Sequence, residues 1–328
     1  MVFLGIIDEK IKIIDHHEQC SWLDNKLGGQ PIFNPMFDVN KLIKNDQLQC
    51  TECSINMAFI LQIYCPVDNS NDDRILYFFS CVNKDCSMKK CRLFRVVTKA
   101  KQATKIETKL FDDDDWGGDN ESTSDSTFTT EQSSNDVGST NKYDFEKHSY
   151  FIPHYISVIE ETDESIDNEK YEKMAKQIAN VEENFINEQY EKHYPDVFQN
   201  DKDNYKFYKQ LHKCPEQIMR YEFAGKPLKS SGRINFSIET CKNCKSKRIF
   251  ELQLMPSLIN VLLNNKMKTI DQQDISIDFE TILIYTCGKN CYSTTNEICE
   301  EQVFLFKENC PELNEKLFEF IPLKQERQ

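Results

Sequence analysis

Eight of the fourteen cysteines fall into two sets of four that share one internal order. Cys50 and Cys53 form a C-x2-C pair, followed at a C-x4-C spacing by Cys81 and Cys86; Cys241 and Cys244 form a second C-x2-C pair, followed at C-x3-C by Cys287 and Cys291. A C-x2-C hook lets two sulfurs reach one ion at about 2.3 Å while amides at the turn offset thiolate charge, and two hooks complete a tetrahedron. No histidine lies inside either set. The pattern therefore predicts two closed, all-cysteine zinc sites of the structural kind, one on each set. Disulfides or free buried thiols are the alternative, and Cys91 and Cys299, just past their hooks, are the candidate substitute ligands. The N-terminus turns charged at Asp8 without a basic leader, which predicts a reducing compartment where cysteines serve metals more often than disulfides.

The sequence around the hooks repeats. Gln62 and Gln253 each lie nine residues past the second cysteine of a first hook, in the apolar runs Met57 to Pro66 and Arg248 to Pro256. Arg74 to Cys81 aligns with Glu280 to Cys287, and Gly29-Gln-Pro31 with Gly225-Lys-Pro227. Each half reads as a Gly-x-Pro turn, hook, strand, strand, hook and strand. The β-branched and aromatic runs favour strands, and a metal joining hooks across a hairpin is the zinc-ribbon arrangement. The expected fold is mainly β (α+β): two internally duplicated, zinc-ribbon-like antiparallel β units with added helices and a disordered acidic insert. One helix is expected after Pro256, with Leu258, Ile259, Leu262 and Leu263 as its apolar face, and a short one over Asp201 to Lys213.

Charge is unevenly placed. The net charge is -14, yet Asp112 to Glu146 holds eleven acids and one base, and Glu160 to Lys192 eleven acids and four bases, so the rest is slightly basic. The tract from Phe111 to Tyr150 is too poor in apolar residues to offset ordering entropy, which predicts disorder. From about Glu164 to Tyr194 the residues Tyr171, Met174, Ile178, Val181 and Phe185 recur at three and four, which predicts an acidic helix. The organisation expected is an N-terminal zinc-binding β unit at 1–106, an acidic disordered linker at 107–160, a helical segment at 161–213 and a C-terminal zinc-binding β unit at 214–328. Apolar runs such as Ile75 to Phe79 are far too short to span a membrane, so no membrane association is expected.

Three function classes compete. An enzyme is not expected: there is no nucleophile triad order, H-E-x-x-H, phosphate loop or G-x-G-x-x-G, and the adjacent His16-His17 reads as a solvated turn. A zinc-ribbon adaptor for RNA or pre-ribosomes would use bases beside the hooks: Lys84, Lys89, Lys90, Arg92 and Arg95, or Lys242, Lys245, Lys247 and Arg248. The totals show no basic face, so direct nucleic-acid binding is not expected. An acidic middle favours the third class, capture of a basic protein, with an extended segment pairing to a strand edge left free between two β units.

Leu4-Gly5, Lys26-Leu-Gly-Gly-Gln-Pro31, Leu61-Gln-Ile-Tyr-Cys-Pro66, Pro215-Glu-Gln-Ile-Met-Arg-Tyr-Glu222 and Gly225-Lys-Pro-Leu228 resemble the programmed cell death protein 2 family. So do Phe250-Glu-Leu-Gln-Leu-Met-Pro256 and Asp278-Phe-Glu-Thr-Ile-Leu-Ile-Tyr-Thr-Cys287. Without an inserted MYND-type finger, the chain is most similar to the programmed-cell-death-2-like branch, which includes the yeast twenty-S rRNA accumulation protein. The resemblance implies a dedicated chaperone that captures the newly made small-subunit ribosomal protein of the universal S-five type (Rps-two) and supports small-subunit biogenesis. It would act in the cytoplasm, shuttling to the nucleus, as a monomer apart from its client.

Overall fold

Where apolar residues run on without polar alternation, a strand must be buried on both faces, and Ile75 to Phe79 is such a run. Leu76 and Phe78 enter one core cluster with Leu93, Leu252 and Ile284, while Ile75, Tyr77 and Phe79 enter a second with Phe59 and Phe94. The C-terminal counterpart behaves alike: Ile282 and Ile284 join the first cluster, and Leu283 and Tyr285 face a third with Phe250 and Phe306.

The computed structural model describes residues 1–43, 47–68, 70–86, 88, 90–99, 149–161, 202–229, 236–267, 275–292 and 298–307. All but the last two residues of the acidic tract expected over Phe111 to Tyr150, and the helix expected over Glu164 to Tyr194, lie outside the described residues.

The strands are β1 (Phe3–Lys10), β2 (Ile13–Ile14), β3 (His17–Glu18), β4 (Lys26–Leu27), β5 (Ala58–Tyr64), β6 (Asp73–Ser80), β7 (Cys91–Thr98), β8 (His154–Glu160), β9 (Gln217–Tyr221), β10 (Arg248–Leu254), β11 (Thr281–Cys287) and β12 (Ile298–Phe306). Ten of them close an antiparallel barrel in the order β1-β8-β4-β5-β6-β7-β12-β11-β10-β9. Two helices longer than one turn accompany it among the described residues, Lys202–Lys213 and Ser257–Asn264, both at positions the sequence predicted. The second buries Leu258 and Leu262 but leaves Leu263 37% exposed. No helix among the described residues is long and apolar enough to cross a membrane.

Two expectations are corrected here. The strands of both halves share one barrel, and the free edge expected between two units is occupied: β7 pairs with β12 from Leu93↔Glu301 to Val96↔Ile298, and β9 pairs with β1. Second, β8 falls within the stretch read as acidic linker, yet it bridges β1 and β4 in the sheet, with Ile156 buried. Of the His16-His17 pair, His16 sits in the turn between β2 and β3 and His17 opens β3, paired with Ile14; Asp15 and His16 take φ of 48° and 64°.

The repeated glutamines have matching roles. Gln62 pairs in register with Lys26, and its Oε1 accepts from the Ile32 amide at 2.9 Å; Gln253 pairs with Arg220, and its Oε1 accepts from the Leu228 amide at 2.9 Å. Ile32 and Leu228 each follow the proline of a Gly-x-Pro turn, so a buried carboxamide fastens each turn to the neighbouring strand. The register also slips between Phe59 and Leu61 and, in the other half, between Phe250 and Leu252.

Candidate metal centres

The first hooks are built the same way. The Cys50 amide donates to Ile55 O at 2.9 Å and the Ser54 amide to Cys50 O at 2.9 Å; the Cys241 amide donates to Ser246 O at 2.8 Å and the Lys245 amide to Cys241 O at 2.9 Å. Ser54 and Lys245, each four residues past the first cysteine, take φ of 59° and 60° to close the turn. Each second hook follows a long central strand, β6 leading into Cys81 and β11 ending in Cys287. Those strands end on turns in which Met88 N–H reaches Cys81 O at 3.0 Å and Asn290 N–H reaches Cys287 O at 2.9 Å.

The result is two clusters, Cys50, Cys53, Cys81 and Cys86, and Cys241, Cys244, Cys287 and Cys291, with the sulfurs of each all within 4.8 Å of one another. Cys50 and Cys86 are 3.9 Å apart and Cys53 and Cys81 3.6 Å; Cys241 and Cys291 are 3.5 Å apart and Cys244 and Cys287 3.4 Å. Four sulfurs about 2.3 Å from a tetrahedral ion lie about 3.8 Å apart, whereas a disulfide requires about 2.05 Å. All eight thiols are free, and the donor chemistry and spacing fit a tetrahedral thiophilic ion. Cys91 belongs to neither cluster and bonds Ser80 Oγ at 3.2 Å and Met88 O at 3.1 Å. Cys299 packs 4.0 Å from Cys241, outside the four.

Electrostatics divide the thiols. Burial works against ionisation of Cys50 and Cys241, but turn amides, from Cys53 and Glu52 in one and Cys244 and Asn243 in the other, outweigh it and hold both below the ordinary thiol range. A hydrogen bond from Ser246 brings Cys244 down to about 6. Burial pushes Cys86 up to about 11 and raises Cys81 and Cys291 as well. Each cluster thus joins a thiolate-prone first hook to a second hook whose thiols a cation would have to deprotonate.

Five of the nine bases named beside the hooks form ion pairs. Lys90 pairs with Glu52 at 3.1 Å, and Arg92 and Lys242 share Glu300 at 3.3 and 3.2 Å. Arg95 and Arg248, which the sequence offered as candidate RNA contacts, converge on the buried carboxylate of Glu301 at 2.7 and 2.9 Å. Lys89 lies outside the described residues.

Sequence reasoning missed the charged core. Arg74 donates to both oxygens of Glu251, at 2.5 and 2.7 Å, with both side chains fully buried, and Tyr221 and Thr286 complete the carboxylate's partners. A carboxylate alone in Phe250 to Leu254 and a guanidinium opening Arg74 to Phe79 were the available signals, since a lone charge inside an apolar run must find its opposite.

Two family models match the chain: the N-terminal domain of programmed cell death protein 2 over residues 1–108, and its C-terminal domain over 201–310. The chain is similar to human programmed cell death protein 2-like, 28% identical with 89% of this chain and 92% of that protein covered. It is also similar to rat programmed cell death protein 2, 29% identical over 44% of this chain and 41% of the relative. A Schizosaccharomyces pombe protein named probable 20S rRNA accumulation protein 4 is 35% identical over 25% of this chain and 22% of its own length. No solved structure matches.

Proposed function

The chain belongs to the programmed cell death protein 2 family, and on that premise we propose that it is a dedicated, non-enzymatic chaperone for a newly made small-subunit ribosomal protein of the universal S-five type, supporting small-subunit biogenesis. The observation that carries this reading is the similarity to a fission-yeast protein named for the accumulation of 20S rRNA, which supports a role in ribosome biogenesis. The client follows from the family resemblance of the motifs. The two acidic stretches, Asp112 to Glu146 and Glu160 to Lys192, suit a client whose extended basic segment is insoluble before rRNA neutralises it.

Because the barrel is closed, recognition of that segment is proposed to rest on side chains and not on addition of a strand. Charge supplies the encounter rate and apolar contacts the residence time. The reading is tested by calorimetry of this chain with a peptide from the client's basic terminus and with the isolated folded domain, at two salt concentrations. Stoichiometric, salt-weakened binding to the peptide supports it; binding to the folded domain alone, or indifference to salt, refutes it. Pairing of Arg92, Arg95, Lys242 and Arg248 with Glu300 and Glu301 favours this reading over an RNA adaptor. The chaperone is proposed to act as a monomer apart from its client, in the cytoplasm where ribosomal proteins are made, with shuttling to the nucleus.

Each cysteine cluster is proposed to hold one structural zinc ion, supported by the sulfur spacing. Bound zinc would supply the cross-link between hooks and the charge that keeps four thiols deprotonated. Elemental analysis should give two zinc ions per chain. Loss of a ligand in Cys53→Ser or Cys244→Ser removes an apparent folding contribution on the order of 10 kcal/mol, so soluble yield should collapse. The matched hook turns, the paired roles of Gln62 and Gln253 and the shared register slips support descent of the two halves from one duplicated unit.

A further inference from the structure

Each cysteine centre is fastened at its second hook by the opposite half of the chain. The loop Cys81 to Cys86 belongs to the N-terminal half, yet Asn83 forms an isolated antiparallel bridge with Ile275, and the Ser276 amide donates to Val82 O at 2.9 Å. The loop Cys287 to Cys291 belongs to the C-terminal half, yet two arginines from β6 and β7 reach into it. Arg74 Nε and Arg95 Nη1 both donate to Asn290 Oδ1, at 2.8 and 3.1 Å, and Arg95 Nη2 donates to Cys291 O at 3.0 Å.

Both guanidiniums are fully buried. Their remaining nitrogens are also bonded: Arg74 Nη1 and Nη2 to Glu251, Cys65 and Thr286, and Arg95 Nε to Glu301. Three charged N–H directions therefore depend on acceptors in a five-residue loop that begins and ends on the candidate metal ligands Cys287 and Cys291. A buried cationic donor that loses its acceptor is penalised more than a neutral one. Asn290 suits the place sterically as well: it sits at φ 48°, a region asparagine tolerates better than most residues.

On the reading that the second cluster holds zinc, we infer that Asn290, gripped by Arg74 and Arg95, is a positioning residue that ties occupancy of the second centre to closure of the barrel. When Cys287 and Cys291 are held by the ion, the turn presents Asn290 Oδ1 and Cys291 O to the two arginines. When they are released, the turn is free to move and the acceptors leave with it. Linkage is reciprocal, so the arginines tighten metal retention at that centre by the same factor by which the metal tightens the barrel seam. The first centre, fastened through backbone groups of Ile275 and Ser276, is independent of this side-chain strap.

The test uses the full-length, zinc-loaded protein and two variants in the same turn. Asn290→Gly keeps the backbone conformation accessible and deletes the carboxamide; Lys289→Gly loosens the turn equally and deletes an exposed side chain. Pulse alkylation during challenge with a chelator, read by peptide mass spectrometry, reports each centre separately. In Asn290→Gly, labelling of Cys287 and Cys291 should accelerate about tenfold, equivalent to ~1.4 kcal/mol, with Cys81 and Cys86 and the Lys289→Gly protein near the wild-type rate. Equal acceleration in both variants, or at both centres, overturns the inference. Should Asn290→Gly fail to fold, hydrogen exchange of the wild-type protein decides: chelation that frees Cys287 and Cys291 must also deprotect β7, and unchanged protection there overturns the strap. Wild-type protein with fewer than two zinc ions would refute the metal assignment itself, independently of the variants.

Discussion

Arg74 and Glu251 come from strands 177 residues apart in sequence, and each is the other's answer to burial. Removing one partner leaves an uncompensated charge in the core, so Arg74→Met should lower unfolding free energy by about 3–5 kcal/mol in a denaturant titration, and the double variant Arg74→Met/Glu251→Leu should recover much of the loss. A milder ion pair sets an acid limit. Burial works against ionised Glu161, but hydrogen bonds from Arg220 and Gln210 outweigh it and hold its carboxyl below the ordinary range. Because the folded value is the depressed one, the contribution is fully present above the unfolded value of about 4.3 and is lost as pH falls through the folded value. Glu161→Gln should therefore flatten the acid limb of a stability-against-pH curve and leave its neutral region's slope unchanged. At this scale the sequence was only half readable. The eight cysteines announce themselves by spacing, because hook geometry is local; Arg95 and Arg248 looked like surface bases, because nothing nearby in sequence indicates that Glu301 will be folded between them.

At the scale of the element, local rules were reliable wherever the partner surface was also local. The helix Ser257–Asn264 begins just after Pro256 and turns Leu258 and Leu262 inward, as the apolar spacing required. Leu263, one residue on, projects outward. Leu262→Ala should cost about 2–5 kcal/mol in urea unfolding, while Leu263→Ala should stay within about 0.5 kcal/mol. The hook turns make a prediction of opposite sign. Ser54 and Lys245 are non-glycine residues at φ near 60°, so Lys245→Gly should relieve left-handed strain of about 1 kcal/mol, offset in part by glycine's greater entropy when unfolded, and raise the melting temperature slightly. Strands β4 and β8 escaped sequence reading for distinct reasons. A two-residue strand such as Lys26–Leu27 carries no periodicity, and His154–Glu160 adjoins acidic stretches whose composition masks its alternation.

At the scale of the molecule, neither half owns a complete core. The β7–β12 and β1–β9 seams and the Arg74–Glu251 and Arg95–Glu301 pairs all cross between residues before 99 and residues after 200. Fragments 1–99 and 143–328 expressed separately should therefore lack a cooperative melt by circular dichroism, and co-expression should yield a complex with one. The barrel order that brings this about was illegible in advance, since each half satisfies the same strand and hook grammar and closure is decided by pairings over two hundred residues apart. That same order has a cost in time as the chain is made. Phe3 pairs with Tyr221, so at ~5–20 residues per second the first strand emerges from the ribosome roughly ten to forty seconds before its last neighbour has been synthesised. A protein proposed to shelter unfinished ribosomal clients thus spends much of its own synthesis with one edge of the apolar strand β1 lacking its partner, exposed to the same hazard it would relieve in others.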